Sequence, residues 1–149
     1  MRKIPVREIA RQHLLNIRNY TPGKPIEEVQ REYGLKEVIK LASNENCLGP
    51  SPKALKAVRD NLKNINRYPD AASYYLKKGI ARRLGVKDSQ LVIGNGSDEV
   101  IVLATKAFVG PGDEVVIARP TFLIYEIVSQ AHEAVIKSVP LTGGLRYDL

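Results

Sequence analysis

The stretch Leu91-Val-Ile-Gly-Asn-Gly-Ser-Asp-Glu-Val-Ile101 decides the fold of this chain. Its apolar start passes through Gly94 and Gly96 into a helical pattern that begins at Ser97, which predicts a strand, a tight turn and a helix. Free N–H groups and the dipole at a helix N-terminus attract anions. The turn is therefore either a phosphate or carboxylate site or a plain strand-to-helix turn capped by Ser97, and the segment alone favours neither.

The residues that follow continue the alternation of strands and helices. Val100 to Phe108 has apolar residues at helical spacing, and Leu123 to Ala131 predicts another helix. The apolar runs Val115-Val-Ile-Ala118 and Ala134 to Val139, with Leu91-Val-Ile93, predict buried strands covered on both faces. This order predicts an α/β fold class, with the pairing of the strands left open.

The first half of the chain predicts a polar arm and then two helices. In the arm, Val6 to Ile17 and Ile26 to Tyr33 predict short helices. Ser51-Pro52 supplies an N-cap and a proline at the first helical position, and Asp70 caps a further helix that stops at Gly85. These elements precede the α/β region.

Composition and charge exclude several classes of protein. The 149 residues are 44% hydrophobic and 26% charged, which is ordinary for a globular domain, and no apolar run approaches the roughly 20 residues of a membrane span. We therefore expect a cytoplasmic protein without membrane contact. The net charge of +7 comes from singly scattered basic residues, which favours a solvated surface or an anion pocket over nucleic-acid binding. Cys47 and two distant histidines offer neither an internal disulfide nor a metal site.

Three further segments have both a functional and a plain structural reading. The loop Asn44-Glu-Asn-Cys-Leu-Gly-Pro-Ser-Pro52 is rich in amides but also in turn formers. Tyr68-Pro-Asp70 holds an extended tyrosine, which more often packs than binds. Arg119-Pro-Thr-Phe122 places an aromatic ring where α/β sheets bind ligands, although core filling also explains it.

Taken together and in order, these segments resemble the histidinol-phosphate aminotransferases, which belong to the fold type I pyridoxal-phosphate enzymes. Each motif is weak alone, and the ordered set is specific. The resemblance covers nearly the whole chain and rests on Asn19-Tyr-Thr-Pro-Gly-Lys-Pro25, Lys40-Leu-Ala-Ser-Asn-Glu-Asn46 with Gly49-Pro-Ser-Pro52, Arg67-Tyr-Pro-Asp70, Gly94-Asn-Gly-Ser-Asp-Glu99 and Pro120-Thr-Phe-x-x-Tyr125.

The resemblance implies a partial three-layer α/β/α large domain of fold type I, preceded by an N-terminal arm. Residues 1–45 correspond to the arm and a small-domain segment, and residues 46–149 to the first part of the large cofactor-binding domain. A sheet of about three strands leaves an open edge, so we expect the chain to be truncated at its C-terminal end.

The resemblance also implies a pyridoxal 5′-phosphate site. In that family Gly96, Ser97 and Asp98 match the cradle of the cofactor phosphate, and Phe122 matches the aromatic residue that stacks on the pyridine ring. Tyr68 matches a tyrosine that reaches the cofactor phosphate of the neighbouring subunit. The expected assembly is therefore a homodimer that acts on a small-molecule substrate.

Tyr20 and Asn46 match residues beside the substrate, and Cys47 departs from the family's usual proline. The lysine that forms a Schiff base with the cofactor has no match here, since neither Lys106 nor Lys137 lies in such a motif, and no catalytic residue is therefore assigned. We expect the chain alone to be inactive.

The function that the resemblance implies is the transfer of an amino group between glutamate and imidazole-acetol phosphate in histidine biosynthesis. A threonine-phosphate decarboxylase or another enzyme of the same group is the alternative, and the Gly-Ser-Asp-Glu form of the turn favours the aminotransferase. A non-catalytic domain that binds phosphate compounds or dimerises stays open, and an RNA-binding module is the weakest possibility.

Overall fold

The regular elements in the first half of the described chain are helices, and an α/β crossover follows. The structure is a computed structural model that describes residues 4–148. Short 3₁₀ turns lie at Gln12–Asn16, Leu62–Asn64 and Asp88–Gln90. The main elements are, in chain order, α1 (Val6–Ile9), α2 (Ile26–Tyr33), α3 (Pro52–Asn61), α4 (Tyr74–Leu84), α5 (Ser97–Phe108), β1 (Glu114–Arg119), α6 (Ile124–Ala131) and β2 (Val135–Pro140).

The two strands run parallel to each other and are connected through α6. Glu114 pairs with Val135 and Arg119 with Pro140, without a break in register. Parallel neighbours need a crossover connection, and the eight-residue helix α6 supplies it. This unit confirms the α/β fold class and settles the pairing of these two strands.

The predicted strand at Leu91-Val-Ile93 does not form in the described residues. Leu91 has extended backbone angles, φ −113° and ψ 130°, but its N–H donates to the carbonyl of Asp88 at 3.2 Å rather than to a neighbouring strand. A strand is defined by the ladder that it shares with a neighbour. Since β1 and β2 pair with each other and with no third segment of residues 4–148, the prediction was wrong here.

The predicted burial of the strands on both faces is also wrong for the described residues. Ile117 is buried, with 6% of its surface exposed, whereas its neighbour Val116 is 68% exposed. The alternation arises because successive side chains of a strand point to opposite faces, and α6 packs against both strands. One face of the sheet is covered and the other is open.

The helix predicted over Val6 to Ile17 is broken into α1 and a 3₁₀ turn. Ala10 has extended angles, φ −66° and ψ 148°, which end α1 after Ile9. The side-chain amide of Gln12 donates to the carbonyls of Arg7 and Ala10, each at 3.1 Å. Side-chain bonds of this kind compete with helical backbone bonds and hold the break.

The predicted helix ends elsewhere in the first half are confirmed. Gly34, with φ +65°, follows α2 and Gly85, with φ +69°, follows α4. The carboxylate of Asp70 accepts the N–H groups of Tyr74 at 2.8 Å and Ala72 at 2.9 Å. Both bonds favour the charged carboxylate and so hold the pKa of Asp70 below its usual value. The bond from the Tyr74 N–H has the larger effect, and the bond from Ala72 adds to it.

Contacts divide the chain into two compact units. Residues up to Tyr20 and from Leu84 onward form the α/β unit, and Thr21–Arg83 form a helical unit. The division into residues 1–45 and 46–149 concerns the domains of a complete enzyme and stays a prediction. Its outermost residues, 1–3 and 149, lie outside the described part of the chain.

We expect the 149-residue polypeptide to self-associate despite its net charge. Val116 on the open sheet face and Phe108 at the end of α5 are largely exposed. Burial of apolar surface contributes about 25 cal/mol per Å², so a few hundred Å² supply several kcal/mol of attraction. Sedimentation velocity over a concentration series should show oligomers, and a cooperatively unfolding monomer at tens of micromolar would contradict the expectation.

Candidate functional site

The turn ahead of α5 has the geometry of an anion site. Gly96 has φ +87° and ψ 178°, and the helix begins at the next residue, Ser97. Ser97 and Asp98 are exposed, and no carbonyl or side chain within residues 4–148 accepts their backbone N–H groups. The predicted helix N-terminus is confirmed, with amides free to receive an oxyanion.

Glu99, for which the sequence pattern predicted no role, shapes this turn. Its carboxylate accepts the N–H of Asn95, so the side chain folds back over the turn. A Cβ at Gly94 would lie 3.0 Å from a Val100 methyl group and 3.2 Å from the Glu99 carboxylate, which explains the glycine there. The sequence could have indicated this role, because Glu99 is the third residue of α5 and acidic residues at that position commonly reach back to the N–H groups before a helix.

Three aromatic rings meet at the end of β1. Phe122 packs edge-on against Tyr20, with ring centroids 6.0 Å apart and an interplanar angle of 87°. Tyr125 also packs edge-on with Phe122, with ring centroids 6.1 Å apart. Edge-to-face packing is a favoured aromatic geometry. Two of the predicted site residues, Tyr20 and Phe122, are thus brought together.

An open cleft of about 530 Å³ lies beside these rings. Arg119 in its wall is paired with Glu126 at 2.6 Å, whereas Arg18 has no carboxylate partner among the described residues. The cleft therefore holds one uncompensated guanidinium, a group suited to phosphate or carboxylate. Arg18 was missed in the sequence, where its only signal is its place two residues before Tyr20.

A second cavity, of about 240 Å³, is lined by residues of α5, β1, α6 and the segment between β1 and α6. Ile101, one helical turn after Ser97, lines it together with Thr121, the neighbour of Phe122. Neither Ser97 and Asp98 nor Phe122 lines this cavity, so it does not join the turn before α5 to the aromatic cluster.

The other two predicted site residues belong to the helical unit. Tyr68 is fully exposed, so its side chain packs on nothing in the described chain. The Asn46 side chain accepts the N–H of Leu48 at 3.1 Å and donates to the carbonyl of Gly49 at 3.2 Å. These bonds fix the amide loop as a turn.

Lys106 and Lys137, which match no motif of a cofactor-binding lysine, make structural interactions. Lys137 pairs with Glu114 on the neighbouring strand at 2.8 Å, and Lys106 lies in the last turn of α5, where the helix dipole favours a cation.

Among residues 4–148 no three His, Cys, Asp or Glu side chains form a group suited to a metal ion. No helix in that range has the length and hydropathy of a membrane span.

Comparison of the sequence with protein families matches residues 36–148 to aminotransferases of class I and II. Histidinol-phosphate aminotransferase from Moorella thermoacetica is 51% identical over 139 residues, which cover 93% of this chain and 36% of that protein. The enzyme of the same name from an Anaeromyxobacter strain is 44% identical over 137 residues, 92% of this chain and 38% of that protein. The chain thus spans little more than a third of these relatives.

Solved structures agree on the fold. Histidinol-phosphate aminotransferase from Sinorhizobium meliloti, determined with pyridoxal-5′-phosphate, superimposes with a TM-score of 0.75 at 24% identity, over 88% of this chain and 34% of that one. Aspartate aminotransferase from Thermotoga maritima gives 0.64 at 27% identity, over 78% and 33%. The structure is therefore a partial α/β fold of the fold type I kind. With three quarters of its residues matching the family model, the chain belongs to the class I and II aminotransferases.

Proposed function

We propose that the complete protein carrying this chain is a cytoplasmic pyridoxal-phosphate-dependent aminotransferase. Its reaction would transfer an amino group between glutamate and imidazole-acetol phosphate in histidine biosynthesis. The observation that carries the proposal is the exposed N-terminus of α5, whose Ser97 and Asp98 amides have no acceptor in the described residues. The names of the two curated relatives described above support the choice of substrate.

The residues present fit a phosphorylated pyridine cofactor. Gly96 leaves the approach to the helix N-terminus open, since no atom lies within 4 Å of the place where its Cβ would be. The amides of Ser97 and Asp98 would hold the phosphate, and Phe122 offers a ring face of the right kind for stacking. When bound, pyridoxal phosphate supplies an electron sink for chemistry at the substrate's α-carbon.

This chain's own residues would bind and orient rather than transfer protons. Phe122, which packs edge-on with both Tyr20 and Tyr125, would fix the plane of the cofactor ring, because these contacts oppose its rotation. Tyr20 and Arg18 would border the substrate on the cleft side. Asn46 would lie beside the substrate in a loop made rigid by its own hydrogen bonds.

We further propose a homodimer in which Tyr68 serves the neighbouring subunit. Its complete exposure supports this role, because a large aromatic side chain without packing in its own chain is available to a partner. The division into residues 1–45 and 46–149 is part of the same proposal, with the cofactor held by the second segment.

Tyr68→Phe in the complete protein is expected to weaken retention of pyridoxal phosphate by roughly five- to tenfold, because one hydroxyl hydrogen bond is lost. Equilibrium dialysis of the cofactor measures the effect, and gel filtration checks that the dimer persists. Tyr75→Phe, at another largely exposed tyrosine, is the matched control and should change nothing. Equal cofactor affinity in the Tyr68 variant and the wild type would remove this role.

A direct assay tests the reaction itself. The complete protein, supplied with histidinol phosphate and 2-oxoglutarate, should produce glutamate at a rate that depends on added pyridoxal phosphate. Release of CO₂ from threonine phosphate without glutamate formation would identify the decarboxylase instead. Absence of both activities in cofactor-loaded protein would contradict the proposed function.

A further inference from the structure

The C-terminus of α6 is capped by a residue from the distant N-terminal arm. A helix leaves its last four carbonyls without helical partners. Three of them, those of Val128, Ser129 and Gln130, receive N–H groups from residues 132–134. The fourth, that of Ala131, receives Nε2 of His13 at 3.2 Å, across 118 residues of sequence.

The geometry defines the state of His13 at this contact. A carbonyl only accepts, so Nε2 of His13 carries the hydrogen that is donated to Ala131. The other ring nitrogen, Nδ1, lies 3.8 Å from a carboxylate oxygen of Glu133. Glu133 itself has φ +61°, a left-handed conformation that glycine usually takes after a helix. Glutamate in place of glycine thus puts a carboxylate beside the histidine ring.

The same arm leads to the cleft. Its 3₁₀ turn, Gln12–Asn16, packs against α6, and the chain then reaches Arg18 and Tyr20 at the Phe122 ring. The arm therefore follows α6 from the end held by His13 to the end near Phe122. Only six residues lie between His13 and Tyr20, so a shift of the turn away from α6 would be transmitted to Tyr20.

We propose that His13 is a positioning residue, which clasps the arm to the C-terminus of α6 and so fixes Arg18 and Tyr20 against Phe122 in the substrate cleft. The inference rests on the proposed function for its effect on catalysis. The clasp itself rests on the contacts of His13 with Ala131 and Glu133.

Two substitutions of similar size separate the clasp from a general effect of losing histidine. In the complete protein, His13→Gln keeps an amide nitrogen at the reach of Nε2, whereas His13→Asn is one methylene too short for the Ala131 carbonyl. His132→Asn is the matched control, because that ring hydrogen-bonds the carbonyl of Val128 in the adjoining helix α6 at 2.9 Å.

Limited trypsin digestion reports on the arm without any activity. Cleavage after Arg18 should be about five- to tenfold faster in His13→Asn than in wild type, with His13→Gln close to wild type and His132→Asn unchanged. Equal cleavage rates in the Asn variant at position 13 and the wild type would overturn the clasp. This readout stands even if the complete protein proves not to be an aminotransferase.

Steady-state kinetics then test the positioning role. His13→Asn should raise the KM for histidinol phosphate about five- to tenfold, with kcat and cofactor retention within twofold of wild type, and His13→Gln should restore most of the loss. An unchanged KM together with faster cleavage would show that the arm is clasped without serving the substrate, which overturns the proposal. A parallel loss in His132→Asn would do the same, because it would trace the effect to α6 rather than to the arm.

Discussion

Gly96→Val in the complete protein should abolish retention of pyridoxal phosphate through purification. The angles φ +87° and ψ 178° fall in a region that essentially only glycine occupies. A β-branched residue there costs about 1–3 kcal/mol or forces the turn to rearrange, and a loss of that size corresponds to roughly 5- to 150-fold weaker binding. Rearrangement would also turn the amides of Ser97 and Asp98 away from the phosphate.

A matched glycine separates the site from general strain. Gly112 has nearly the same φ, +84°, and also has open space where a Cβ would be, but it lies before β1, whereas Phe122 follows that strand. Gly112→Val should lower the melting temperature and leave the cofactor affinity unchanged. Titration of both variants, followed by the absorbance of the bound cofactor, makes the comparison. Equal cofactor affinities of the Gly96→Val and Gly112→Val variants would show that the turn at Gly96 does not bind the cofactor phosphate.

The second large effect is the absence of turnover in the 149-residue polypeptide. In the family that the chain resembles, a lysine bonds the cofactor, whereas Lys106 and Lys137 match no such motif and make structural interactions instead. Without that amine the reaction lacks its covalent attachment and its proton carrier. We expect no glutamate above the background of a mock purification.

The assay needs a positive control and a clean preparation. The complete protein, purified in the same way, should turn over histidinol phosphate and 2-oxoglutarate under identical conditions. The account would be contradicted by activity that co-purifies with the 149-residue polypeptide and is lost in its Lys106→Ala or Lys137→Ala variant. Such activity would assign catalysis to this chain.

Elements fixed by local interactions could be predicted from the sequence. The end of α2 at Gly34, the start of α5 at Ser97 and the cap at Asp70 depend on residues within a few positions of each other. The strand at Leu91-Val-Ile93 could not be predicted correctly, because an apolar run becomes a strand only when a neighbour pairs with it. The exposure of Val116 likewise depends on what covers the sheet, which periodicity does not report.

The candidate site divides in the same way. The turn before α5 could be predicted from Gly94, Gly96 and the helical pattern that follows them. In the structure the helix begins at Ser97, as expected. The roles of Tyr20 and Phe122 came from the family resemblance, and their contact joins two distant parts of the sequence. His13 was missed because its partner is a backbone carbonyl 118 residues away, and no side-chain pattern marks a carbonyl.

The central claim is that the N-terminus of α5 holds the phosphate of pyridoxal phosphate. A crystal structure of the complete protein with the cofactor tests it most directly. We predict phosphate oxygens within hydrogen-bond distance of the Ser97 and Asp98 amides, with the pyridine ring on Phe122. A cofactor phosphate bound elsewhere, with these two amides facing solvent, would contradict the account.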